Sequence, residues 1–105
     1  MGNPMAADLI AQHARLTREL ALHITNVSEI EIAILTQRDV TYWTADPESS
    51  VAARDREAAH QVAPLEADLI KAKADLAVVT ADLKHLELSI SLIASASANA
   101  SVNTP

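Results

Sequence analysis

The chain has no cysteine and no phenylalanine, and only one glycine, one tryptophan and one tyrosine in 105 residues. Without cysteine there is no disulfide and no thiolate metal site. With glycine confined to position 2, a hairpin-rich β fold is excluded, because tight β-turns need residues that tolerate positive φ. An aromatic content of 2% leaves leucine, isoleucine, valine and alanine to fill any core, and these are the residues of helix–helix seams. Positive charge is also scarce. Eight Lys and Arg stand against 14 Asp and Glu, for a net charge of −6. Neither half is basic: residues 1–45 carry three Arg against five acids, and the rest carry five Lys or Arg against nine. Such a chain repels nucleic acid and anionic membranes, so neither is expected as a partner. No apolar run approaches the roughly 20 residues needed to span a bilayer. No basic segment followed by an apolar run opens the chain, so no secretory leader is expected.

What the sequence does contain is heptad spacing. Asn3-Pro4 has the form of a helix start, with Asn as N-cap and Pro in the first turn. From there Leu9, His13, Leu16, Leu20, His23, Val27, Ile30, Ile34, Gln37 and Thr41 recur at alternating intervals of four and three. This is a coiled-coil seam with polar members, His13, His23 and Gln37 among them. Nothing breaks it before Asp46-Pro47-Glu48, which repeats the start signal. A second seam follows: Val62, Leu65, Leu69, Ala72, Leu76, Val79, Leu83, Leu86, Ile90 and Ile93, with no polar member. The spacing predicts an all-α single domain, a long antiparallel helical hairpin or coiled coil within an oligomeric bundle. Helix 1 is expected over about 4–43, a bend at 44–47, helix 2 over about 47–95, where Pro64 either kinks one long helix or begins a new one, and a polar tail at 96–105 with nothing to pack.

Apolar residues also lie off the seams: Leu22, Ile32 and Leu35 in the first helix, and Ile70, Val78, Leu88 and Leu92 in the second. A two-helix hairpin buries one stripe per helix, so these predict further partners, either copies of the chain or other proteins. Asp68, Asp75 and Asp82 repeat every seven residues beside the second seam. Such a ladder suits a solvated face, or a partner helix with facing Lys or Arg.

Candidate chemistry is thin. His13 and His23 are ten residues apart, about 15 Å along a helix, so they cannot share an ion within one chain. No His-x-x-x-His pair, phosphate loop or nucleophile elbow occurs. No catalytic residue, metal site or cofactor is therefore expected, and the protein is read as non-enzymatic. The seam histidines are read as a polar layer fixing register, whose protonation below about pH 6 would loosen the assembly. The two aromatic residues, Tyr42 and Trp43, are neighbours just before Asp46-Pro47. The expected division is Trp43 packed on the bend or a neighbouring chain, with Tyr42 more exposed. Both count as interface candidates with Leu22, Ile32, Leu35, Leu88 and Leu92.

Residues 46–90, DPESSVAARDREAAHQVAPLEADLIKAKADLAVVTADLKHLELSI, join an Asp-Pro-Glu start, an Arg-Asp-Arg cluster and a Leu-rich acidic helix. This pattern resembles small helical virion proteins of actinobacterial tailed phages. The resemblance implies a structural role at the tail, neck or capsid surface, hence a virion location, and carries over no binding or catalytic residue. Trp43-Thr44-Ala45 at the bend is similar to the WXG family of helical hairpins, although the glycine of that motif is replaced by Ala45. That likeness implies instead a hairpin that pairs with a partner protein, cytoplasmic or secreted without a classical signal peptide. A small regulatory binder of a host protein is a further class compatible with an acidic helical rod.

Overall fold

The structure, a computed structural model, describes residues 4–102, and the side chains of residues 5–97. Among them are two helices and no strand: α1, Pro4–Thr44, and α2, Val51–Val102. The Asn3 cap lies outside the described residues. The all-α expectation holds, and the reasons are local. Alanine, leucine, glutamate and lysine favour helix, and the hydroxyls of Thr17, Thr44, Thr80 and Ser89 satisfy themselves on the carbonyls four residues back, at 2.8, 2.7, 2.7 and 3.0 Å.

The chain divides into two compact units, one made of Met1–Leu22 with Leu76–Pro105, the other of His23–Asp75. In the first, the start of α1 packs antiparallel on the later part of α2. Leu16, Val79 and Leu86 form its buried centre, flanked by Leu9, Leu20, Leu83 and Ile90. The second is a hairpin closed by the bend. Val27, Ile34 and Thr41 of α1 and Ala58, Val62 and Ala72 of α2 are buried there, Val62 completely. All the residues assigned to the two seams are buried or half-buried, except Ile93, which is 41% exposed.

Three boundaries differ from the sequence reading. The bend occupies residues 45–50, not 44–47, and α2 starts at Val51 rather than Pro47. Asp46-Pro47 is used as a turn, not as a helix start. The Ser49 amide donates to the Asp46 carbonyl at 2.9 Å, and the Glu48 amide to Asp46 Oδ1 at 3.0 Å, an Asx-turn with Pro in its favoured second position. The helix N-cap is Ser50: its Oγ accepts from the Ala53 amide at 3.1 Å, and its carbonyl accepts the first helical bond from Arg54 at 3.0 Å.

Pro64 lies inside α2, which runs through it as one helix. The ring removes the amide that would have bonded the His60 carbonyl. Both residues are exposed, so water can reach that carbonyl, while Val62 and Leu65 keep the buried side of the helix intact. Finally, the segment read as a polar tail from residue 96 is helical to Val102. Ser and Asn cost a helix well under 1 kcal/mol each, the intervening alanines favour it, and no glycine or proline interrupts 96–102. Residues 103–105 of that tail lie outside the described residues.

Two substitutions test this account by urea denaturation. Leu86→Ala should cost about 2–5 kcal/mol, because it opens a cavity in the unit's buried centre. Pro64→Ala should stabilise the chain by about 1–3 kcal/mol, since it restores a helical hydrogen bond and removes a steric conflict. Loss of stability on Pro64→Ala would mean that the ring is needed for packing.

Candidate functional site

Two kinds of surface stand out from the seams. The first is the bend in the second unit. Tyr42 and Trp43 meet edge to face, with ring centroids 5.4 Å apart and planes at 81°. Their burial reverses the expected order: Trp43 is 73% exposed and Tyr42 is half-buried. The indole does not fold over the bend. It lies back along α1, where Nε1 donates to Asp39 Oδ1, one turn earlier, at 3.0 Å.

The work expected of Trp43 is performed by Arg54. Its guanidinium carbon sits 5.6 Å from the centre of the Tyr42 ring, within cation–π range. Its Nη2 donates to the carbonyls of Asp46 and Pro47 at 3.4 and 3.1 Å. Its Nε is buried with no hydrogen-bond partner. Arg54 therefore ties the end of α1, the turn and the first turn of α2 together. Sequence reasoning missed it. The available signal was an arginine one turn after a Ser cap, following an Asp-Pro turn and an aromatic helix end. Beside it, Leu35, Arg38, Asp39, Tyr42, Asp55 and Ala58 line an open recess of about 550 Å³, and Arg38 also forms an ion pair with Glu66 at 3.3 Å. That pair is half-exposed at both ends, so it is worth about 0–1 kcal/mol.

The second surface is the set of apolar residues off the seams. In the first unit these are Leu22, Val78, Leu88 and Leu92; in the second, Ile32, Leu35 and Ile70. All are exposed, from 57% at Leu88 to 72% at Ile70. The ladder of Asp68, Asp75 and Asp82 is exposed too.

The polar seam members differ from one another. Gln37 Nε2 donates to Thr41 Oγ1 at 3.1 Å, so two polar groups of the seam satisfy each other. His13 and His23 are half-buried. His13 Nε2 lies 3.3 Å from Glu87 Oε1, across the two helices of the first unit. Among the described residues no three His, Asp or Glu side chains gather into a metal site, and no helix is long and apolar enough to cross a membrane.

Two measurements check the bend. The emission of Trp43 in the dilute chain should be water-like and freely quenched; a blue-shifted spectrum would contradict its exposed position. Arg54→Ala should destabilise the chain by about 1–2 kcal/mol through loss of the ring contact and two charged hydrogen bonds. Arg56→Ala, two residues on, should have little effect, because Arg56 is exposed. No family model, curated protein or solved structure matches the chain.

Proposed function

We propose that the chain is a non-enzymatic structural subunit that acts by packing its exposed helix faces against other protein chains, its own copies among them. One observation carries this reading. Both units leave large aliphatic side chains in water after their seams are filled, Leu22, Val78, Leu88 and Leu92 in one, Ile32, Leu35 and Ile70 in the other. Scattered surface leucines are ordinary, but here the exposed set rivals the buried core in number and size. Burying each such side chain contributes about 1.5–3 kcal/mol, so contact with a matching face is strongly favoured. Among the described residues the recess beside the bend is open and holds no constellation of nucleophile, base and oxyanion donor.

The resemblance of residues 46–90 to small helical virion proteins supports a tailed-phage particle as the assembly, with the protein at its tail, neck or capsid surface. A second reading is favoured by Trp43. An indole 73% exposed at the end of α1 is well placed as an anchor, since tryptophan is prominent among interface hot spots. It suits a hairpin adaptor or secretion substrate that pairs with one partner protein.

Light scattering on the purified chain at micromolar concentration should give a mass above that of one chain. Leu35→Asp should lower the assembled mass without loss of helicity, since Leu35 is exposed. A single-chain mass at full helicity would defeat the structural reading. Many copies of the chain in one symmetric particle would support the virion role, and a 1:1 complex with a single partner would support the adaptor.

A further inference from the structure

The turn that closes the second unit holds one peptide bond in a distinctive setting, the bond from Asp46 to Pro47. Its carbonyl oxygen accepts twice, from the Ser49 amide at 2.9 Å and from Arg54 Nη2 at 3.4 Å. The first contact is the ordinary closing bond of a β-turn. The second comes from a cation held in place by other contacts. The same Nη2 reaches the Pro47 carbonyl at 3.1 Å, and the guanidinium stands against the Tyr42 ring. Arg54 Nε is buried with no hydrogen-bond partner, so this edge of the guanidinium is shielded from water and its pull on a nearby oxygen is less screened. A nucleophile lies in the same residue. Asp46 Oδ1 accepts from the Glu48 amide at 3.0 Å, which folds the carboxyl back over the turn. That hydrogen bond closes a ring containing the Asp46 carbonyl carbon and the Pro47 nitrogen. Asp46 and Pro47 are both exposed, so water reaches the bond.

We propose that the folded chain promotes its own scission at the Asp46–Pro47 bond. A carboxyl oxygen of Asp46 bonds to the carbonyl carbon of the same residue. The carbonyl oxygen gains negative charge, which the Ser49 amide and the Arg54 guanidinium stabilise as an oxyanion hole does; the long Arg54 contact tightens as that charge develops. The carbon–nitrogen bond then breaks, and the carboxyl proton passes to the Pro47 nitrogen. That nitrogen, part of a tertiary amide without an N–H, is a better proton acceptor and leaving group than an ordinary amide nitrogen. Residue 46 is left as a five-membered cyclic anhydride, which one water molecule opens to restore the Asp46 side chain and a new C-terminal carboxyl. The sum is hydrolysis of one peptide bond. Attacking group and carbonyl are held in one residue, so no second reactant need be captured before the bond forms. The product is residues 1–46 and 47–105, no longer tied at the bend. Each chain reacts once and turns nothing over, so the proposal stands apart from the structural reading above and does not depend on it.

Mass spectrometry of the full chain held at about pH 5, where part of an ordinary carboxyl population keeps its proton, tests the proposal. Asp-Pro bonds break slowly in any acidic peptide, so the comparison that matters is the folded chain against the same chain unfolded in urea. Fragments 1–46 and 47–105 should form at least about tenfold faster in the folded chain. Arg54→Ala should remove most of that difference while leaving the rate in urea unchanged, and Arg54→Lys, which keeps the cation, should recover part of it. Asp46→Asn keeps an oxygen for the Glu48 amide but no carboxyl, and should give no fragments; far-UV helicity checks that each variant is folded. Equal rates in the folded and unfolded wild-type chain would overturn the proposal and reduce the cut to ordinary acid lability. So would a folded Arg54→Ala chain that cuts as fast as the wild type, or fragments that persist in Asp46→Asn.

Discussion

Every other feature of this protein depends on a single constraint: each helix has only one face covered by the other. Two helices packed side by side make a core one layer thick. Side chains such as Leu16 and Leu86, or Val62 and Ala58, touch the facing helix and nothing lies behind it. Among the described residues there is no third element to receive what projects elsewhere. A larger domain buries a greater share of its surface; here the exposed leucines and isoleucines follow directly from the geometry. Stability must come from many small, regularly repeated contacts, which is why the three-four spacing continues with so few interruptions.

A seam of this kind needs its two strands of side chains held in register, and in each unit one polar pair matches the register observed. His13 and Glu87 meet across the first unit, Arg38 and Glu66 across the second, each pair joining α1 to α2. These exposed pairs add little energy, but a shifted register would leave them unmatched. The bend adds a firmer restraint. Arg54 holds the turn by two carbonyl contacts and faces Tyr42, while Ser50 and Asp46 satisfy the amides that the turn and the helix start leave over. The indole of Trp43 stands exposed beside this bend.

The thin core and the net charge point in the same direction. The acidic helix bodies and the exposed aliphatic residues are the surface features on which the proposed packing against other chains rests. Net negative charge discourages indiscriminate clustering, and apolar patches supply the attraction where charge is absent. The functional reading proposed for the chain, a subunit of a larger protein assembly, follows from surfaces and not from any catalytic group.

The sequence by itself determined the secondary structure and the buried face. Heptad spacing is a local property of consecutive residues, so the seam positions from Leu9 to Thr41 and from Val62 to Ile90 could be read without knowing the fold. Glycine scarcity and the Asp-Pro pair likewise placed one bend near residue 46. Several things were decided only in three dimensions. Whether Asp46 or Ser50 caps α2 depends on which conformation satisfies more amides, and both are good caps in isolation. Which aromatic ring is covered depended on Arg54, a residue twelve positions from Tyr42 whose approach no helical period encodes. The pairing of His13 depended on Glu87, 74 residues away. Local periodicity says which side of a helix is buried. Only the packing of two helices says against what, and where that cover stops.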